Sequence, residues 1–469
     1  MNKSVKDHLI EDINYFFELT NEEIYAIDGD KIAEIQLHWL RRRFDELRPR
    51  LSLVKKHTDD VGIERIDGVN DIVPALLPHT IYKSYSLKAL ENRRFADLTR
   101  WLGRLTTHDL NGLDLSDCVT IDDWINRLVA QTSLRPQVSS GTSGKISVFP
   151  RSTVEERAFA EGMWLKITDG YFDGPSLPLR SGDCTIVMAW PVRSGPHNVP
   201  TLLRILREIC FGGDQDKVIT IGQGHQSADE LALAGKLRKA EALGEALTLS
   251  PNEEEVRRQL AARAGAMEGA LDLFIERAIV AQRGRKVLCG VVGPAMYQFA
   301  LTCKERGIVA EWDPGSILMS GGGAKGFDLP QDWKETVQAV FPGVWIDGYG
   351  MSESTASAHA CAAGNLHFYP WGIPYLLDPR TSEALPRQGV QTGRMAMFDL
   401  MPETHWGGII TGDKVTLNWD GGCACGRKGP YMLNQIDRYA SPDNADDKIS
   451  CAKTPGAYER LEEFAITQG

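Results

Sequence analysis

From about Lys3 to Leu105, apolar and charged positions alternate at three- and four-residue spacing, as in KIAEIQLHWLRRRFDELRPRL. That spacing predicts a helical region over about 1–105. The Arg41-Arg42-Arg43 run is expected on a solvated face of one helix. Near Val138 the texture changes to small residues, glycines and β-branched runs. Short apolar stretches then recur, each closed by glycine or a polar turn: CTIVMAW (184–190), KVITIG (217–222), KVLCGVV (286–292), SILMSGG (316–322) and VWIDGYG (344–350). Helical patterns lie between several of them, the longest from about Ser227 to Val280. Buried strands alternating with helices predict α/β layers around a mainly parallel sheet, with ligands at the carboxyl ends of the strands. After about Val390 the chain reads as β and turn. No internal repeat, low-complexity tract or flexible linker interrupts it.

Composition narrows the function classes. The 469 residues are 42% hydrophobic and 25% charged, as in soluble globular proteins. The net charge of −11 argues against a nucleic-acid partner, which calls for excess positive charge. No apolar run approaches the ~18 residues needed to span a bilayer, so no membrane partner is expected. The N-terminus mixes acids and bases where a secretion signal would be apolar. Nine cysteines in so long a chain do not read as a disulfide framework. The expected location is the cytoplasm.

Three segments carry candidate chemistry. SSGTSGK, Ser139–Lys145, sets glycines, hydroxyls and one lysine in a loop able to wrap a phosphate; the alternative is a Ser/Gly turn. It is not a Walker A loop, because position 139 holds Ser. DGYGMSEST, Asp347–Thr355, follows a buried strand. Its tyrosine is suited to stacking on a base, and Ser352 with Glu353 to holding a phosphate oxygen and Mg²⁺. The alternative is a turn opening a helix, with Ser352 as N-cap. TGDKV, Thr411–Val415, places Asp413 on a turn beside a strand, where a carboxylate can accept both ribose hydroxyls; a plain hairpin turn is the rival.

In this order and spacing the three segments resemble the adenylate-forming superfamily of acyl-CoA ligases, peptide-synthetase adenylation domains and luciferases. The resemblance covers roughly residues 130–440 and includes a Gly-Gly-Ala segment in SGGGAK, Ser320–Lys325. It implies a layered α/β ligase fold and an ATP site spread over Ser139, Ser140, Gly141, Thr142, Ser143, Gly144 and Lys145. Gly322, Gly323 and Ala324 would lie on one face of the adenine and Tyr349 near the other, within a segment that also includes Asp347, Gly350 and Met351. Ser352 would reach the α-phosphate, Glu353 would hold Mg²⁺, and Asp413, with Arg438, would bind the ribose. Implied too is attack of a substrate carboxylate on the α-phosphorus, giving an acyl-adenylate and pyrophosphate; Lys145, Ser352 and Glu353 carry the catalytic burden.

Lys145 directly after Gly144, and CACGRKGP (423–430), look like the phenylacetate–CoA ligase and acyl-protein synthetase branch. The SSGTS core is similar to that of plant hormone amido synthetases. Cys361, His367, Cys423 and Cys425 form a Cys₃His set suited to structural Zn²⁺, with His359 as rival to His367; small buried cysteines and an ordinary turn are the alternative. By analogy with relatives, Trp190, His197, Met296 and Tyr297 are candidate acyl-pocket walls and favour an aromatic acid.

The expected organisation is a large adenylation domain over 1–436, with its ATP-binding core at about 130–436 and a truncated C-terminal segment, a reduced lid, over 437–469. Asp447-Lys448 is the nearest match to a hinge beyond Arg438, and Lys448 and Lys453 are the only tail lysines near enough to consider. The expected partners are a small carboxylic acid and an acyl acceptor (CoA, an amine or hydroxyl, or a carrier), and a homodimer is left open. Rival readings are a fatty acyl-protein synthetase that acylates Cys451 and a non-catalytic ATP-binding paralogue.

Overall fold

The computed structural model describes residues 3–140, 145–168, 177–265, 267–321, 329–439 and 457–467. Its strands are β1 (Leu77–Pro78), β2 (Gln137–Ser140), β3 (Ile146–Phe149), β4 (Thr185–Met188), β5 (Val218–Thr220), β6 (Val287–Val291), β7 (Ile317–Ser320), β8 (Val344–Tyr349), β9 (Ala358–Ala360), β10 (Leu366–Phe368), β11 (Gly372–Leu377), β12 (Val390–Asp399), β13 (Gly408–Asn418), β14 (Tyr431–Met432) and β15 (Asp437–Arg438). All five apolar runs singled out in the sequence are strands, and they are parallel in the order β5-β4-β6-β7-β8.

Alternation along these strands feeds two separate cores, as a sheet covered on both faces requires. Ile186, Met188, Leu288, Met319 and Ile346 face one layer, with Phe159, Trp164 and Leu202. Val187, Cys289, Val291 and Leu318 face the other, with Phe274, Met296, Phe299 and Phe341. From β8 the sheet continues antiparallel through β9, β10, β14, β13, β12 and β11. Strand β13 is a junction: it also takes β1 in parallel and β15 antiparallel. The mixed α/β layering expected from the sequence is borne out.

The N-terminal region is helical, as expected. The helix Gly29–Leu47 buries Ile35, Trp39, Leu40, Phe44 and Leu47. Arg43 departs from the solvated face expected of its run. It is buried, its Nε donates to the Leu400 carbonyl at 2.8 Å, and Glu46 and Glu403 flank it. The described part of the tail includes the helix Ala457–Thr467, which buries Ala457, Tyr458, Leu461 and Ala465 in the core of the helical layer. Tyr458 Oη donates to the Leu76 carbonyl at 2.8 Å and its ring meets His57 at 5.2 Å. No helix among the described residues is long and apolar enough to cross a membrane.

Candidate functional site

Strands β2 and β3 form an antiparallel hairpin in the register Gln137↔Phe149 to Ser140↔Ile146. Gly141, Thr142, Ser143 and Gly144 lie outside the described residues, as do the side chain of Ser140, the whole of Gly322, Gly323 and Ala324, and Asp447, Lys448, Cys451 and Lys453 in the tail. Ser139 pairs with Ser147 across the hairpin. Lys145 Nζ donates to the carbonyls of Tyr85 (2.9 Å) and Lys83 (3.3 Å) and lies 5.4 Å over the Tyr85 ring.

Those carbonyls belong to the 3-10 turn His79–Lys83 and the residues just after it. Tyr85 Oη donates to the Ile146 carbonyl at 2.7 Å and Tyr82 meets Phe149 at 4.6 Å, so this turn is bolted to the hairpin. It brings in Lys83, a buried cation that sequence reasoning missed.

At the carboxyl end of β8, Tyr349 is buried and its Oη donates to Asp413 Oδ2 at 2.8 Å. Burial and the Asp413 charge hold its phenol protonated, hence a donor. Arg438 Nε donates to the other oxygen, Oδ1, at 3.1 Å, because β15 pairs Arg438 with Asp413. Asp413 is not on a turn, as the sequence suggested. It lies inside the eleven-residue strand β13, where the pairing with β12 breaks at a bulge between Ala396↔Ile410 and Arg394↔Lys414, and Asp413 pairs instead with Arg438 on β15.

The Met351–Ser357 segment leads into β9 and opens no helix, so the N-cap alternative for Ser352 is not realised. Buried Asp399 shapes this turn, accepting from Ser354 Oγ (3.1 Å), Thr355 Oγ1 (3.0 Å) and the Thr355 amide. A Cβ on Gly162 would fall 1.7 Å from the Thr355 carbonyl, so only glycine lets the two segments approach this closely. Ser352 and Glu353 are half-buried. Burial pushes the Glu353 carboxyl above its ordinary range, against the pull of the Lys83 and Arg151 cations. Asp347 is already engaged by Lys334 Nζ (2.7 Å), Trp345 Nε1 (2.9 Å) and Asn434 Nδ2 (2.9 Å).

The expected acyl wall divides. Trp190 stacks on His197 at 5.4 Å, and His197 Nδ1 caps the helix Asn198–Phe211 by accepting from the Val199 amide. Met296 is instead in the core on the opposite face of the sheet, because its helix, Gly293–Glu305, packs there; Tyr297 follows it, half-buried. On the Trp190 face the structure supplies Met163 and Trp164, from a π-helical turn Glu161–Leu165 that leaves no sequence signature. They fill the space over two glycines: a Cβ on Gly290 would meet Trp164 at 2.9 Å, and one on Gly350 would meet Met163 Sδ at 3.2 Å. Met351, which follows Gly350, is half-buried.

The four soft ligands converge. One donor atom each from Cys361, His367, Cys423 and Cys425 lies within 4.8 Å of all the others. Cys361 Sγ is 3.7 Å from Cys423 Sγ, and Cys425 Sγ is 3.4 Å from His367 Nε2. Tetrahedral zinc with Zn–S bonds of ~2.3 Å sets its sulfurs ~3.8 Å apart, so this donor set fits the ion. Burial pushes His367 down to about 3, which leaves its imidazole neutral and able to ligate. His359, the rival, pairs with the Met163 carbonyl at 3.0 Å and is not in the set.

No protein-family model matches the chain, and no curated protein matches it. Solved structures do. An open conformation of 2-hydroxyisobutyryl-CoA ligase in complex with 2-HIB-AMP and CoA superposes with a TM-score of 0.51 at 12% identity, over 87% of this chain and 75% of the ligase. The same ligase in its thioesterification state gives 0.53 at 13% identity, over 88% and 69%. The chain has the fold of an adenylate-forming ligase. Tyr349 ends β8 and the Ser352–Glu353 turn follows it directly, whereas the hairpin is β2–β3 and Asp413 and Arg438 lie on β13 and β15.

Proposed function

We propose that the protein is an Mg·ATP-dependent ligase that activates a small carboxylic acid as its acyl-adenylate and passes the acyl group to an acceptor. The observation that carries this reading is the Tyr349–Asp413–Arg438 constellation. It draws residues 64 and 25 positions apart onto one carboxylate, in a chain with the fold of a CoA ligase. Asp413 receives the ribose hydroxyls and Arg438 closes over them. Ser139 to Lys145 embrace the β- and γ-phosphates, Ser352 donates to the α-phosphate, and Glu353 is the carboxylate for Mg²⁺. The bound ion would neutralise phosphate charge. A carboxylate oxygen of the substrate attacks the α-phosphorus in line, the bond to the pyrophosphate oxygen breaks, and the chain's work is positioning and charge neutralisation.

The Trp190–His197 stack favours a flat, aromatic acid, and the tight fit of Trp164 and Met163 over Gly290 and Gly350 favours a short one. CoA is the first acceptor to try, since the structural neighbour binds it. Structural zinc belongs to the Cys361–His367–Cys423–Cys425 set, where four protein ligands leave no open position for catalysis.

The test is ATP–pyrophosphate exchange across a panel of aryl, hydroxy and fatty acids without CoA. Exchange stimulated by one class of acid supports the reading and names the substrate class. ATP binding with no exchange for any acid turns it toward a non-catalytic nucleotide-binding protein.

A further inference from the structure

Arg151 is fully buried just beyond β3, and the chemistry proposed above makes no use of it. Its guanidinium lies 4.2 Å over the Phe159 ring and 5.3 Å from Phe149, and Nη2 donates to the Ser352 carbonyl at 2.7 Å. Among the described residues Nε and Nη1 have no hydrogen-bond partner.

The acids that face it are Glu155, Asp399, Glu353 and Glu156. Glu155 is committed to Ser152 and Thr404, Asp399 to Ser354, Thr355 and Met401, and Glu156 to Arg204. Burial pushes the guanidinium down to about 10, a measure of how poorly its charge is solvated. A cation buried with a single hydrogen bond is poorly compensated for its lost hydration, and apolar residues commonly replace buried ionic groups without loss of stability. Stability therefore does not account for it. What the hydrogen bond does is join two segments about 200 residues apart: the hairpin that carries Ser139–Lys145 and the turn that carries Ser352 and Glu353.

We infer that Arg151 is a positioning residue: by holding the Ser352 carbonyl it fixes the turn that presents Glu353 to the metal of Mg·ATP, and so registers the metal carboxylate against the phosphate hairpin. This rests on the adenylation reading. Its signature is in the metal dependence, since loss of a residue that orients a metal ligand weakens metal affinity about 10- to 100-fold.

The experiment measures the Mg²⁺ concentration for half-maximal ATP–pyrophosphate exchange in the wild type, Arg151→Gln, Arg151→Lys and Phe159→Leu, with melting temperatures alongside. Arg151→Gln is expected to raise that concentration at least about tenfold while leaving the KM for the acid within about twofold. Arg151→Lys, which keeps a donor, should recover part of the loss. Phe159→Leu loosens the guanidinium without removing charge; it should shift the Mg²⁺ requirement in the same direction, and with Arg151→Lys it decides the matter if Arg151→Gln does not fold. An unchanged Mg²⁺ requirement, or a fall in rate that only tracks melting temperature, overturns the inference. Glu353→Gln separates the two levels. If it exchanges like the wild type, Glu353 is not the metal carboxylate and the role of Arg151 fails while the adenylation reading stands; if the wild type gives no exchange with any acid, the adenylation reading fails and the role of Arg151 fails with it.

Discussion

Asp413 is gripped from two sides, by the Tyr349 phenol and the Arg438 guanidinium, so its carboxylate is oriented before any ligand arrives. Hydrogen bonds to a charged group contribute about 1.5–3 kcal/mol each. Asp413→Ala is therefore expected to raise the KM for ATP about ten- to hundredfold with little change in the KM for the acid. Tyr349→Phe should give a smaller rise in the same direction. Exchange kinetics with ATP and acid varied in turn check both, and an effect confined to the acid would remove Asp413 from the nucleotide site. Asp413, Tyr349 and Glu353 were legible in the sequence because short motifs announce them. Lys83, Arg43 and Arg151 were not. Arg43 and Arg151 bond main-chain carbonyls, those of Leu400 and Ser352, and a carbonyl leaves no mark on a sequence. A cation away from a motif then reads as an ordinary solvated charge.

The Cys361–His367–Cys423–Cys425 cluster joins β9 and β10 to the loop between β13 and β14, and helix Asn21–Ala26 leans on it. Tyr25 lies under the Arg427 guanidinium at 4.2 Å, and Lys428 pairs with Asp28 at 2.7 Å. Elemental analysis is expected to find about one zinc per chain. Chelation, or Cys423→Ser, should lower the melting temperature and raise hydrogen exchange in residues 21–28 and 423–432 before the parallel strands respond. Full stability with no bound metal would dismiss the site. A second element-scale prediction concerns His57, which burial holds at about 4 against an unfolded value of about 6.5. The unfolded chain takes up this proton first, so stability is lost as pH falls from about 6.5 toward 4. Because His57 packs on Tyr458, the helix Ala457–Thr467 should loosen in that window, and His57→Gln should flatten the fall in melting temperature. An identical slope in the variant would exclude His57. At this scale the five parallel strands were plain in the sequence, each an apolar run with a turn behind it. The length of β13 was concealed because TGD reads locally as a turn; in the structure these residues sit at a bulge in the β12–β13 pairing, where β15 pairs with Asp413.

Across the whole molecule, one sheet links the parallel half, with its two buried faces, to the antiparallel half that carries Asp413 and the cysteine–histidine cluster. Its alternating strands and helices foretold the layering. The crossing contacts did not show in the sequence, because each needs two distant segments at once: β1 on β13, the tail helix on the helical layer, Gly162 against Thr355. Deleting residues 457–469 should therefore lower the global melting temperature rather than trim a dispensable end, and comparison of the two chains by calorimetry decides. The pairing of Leu77–Pro78 with Ile409–Ile410 has a further consequence, for biosynthesis. On the ribosome, Leu77–Pro78 emerge more than 300 residues before the strand that pairs with them. The helical layer around them therefore stays partly open while that stretch is made, and closes only once β13 and the helix Ala457–Thr467 have emerged.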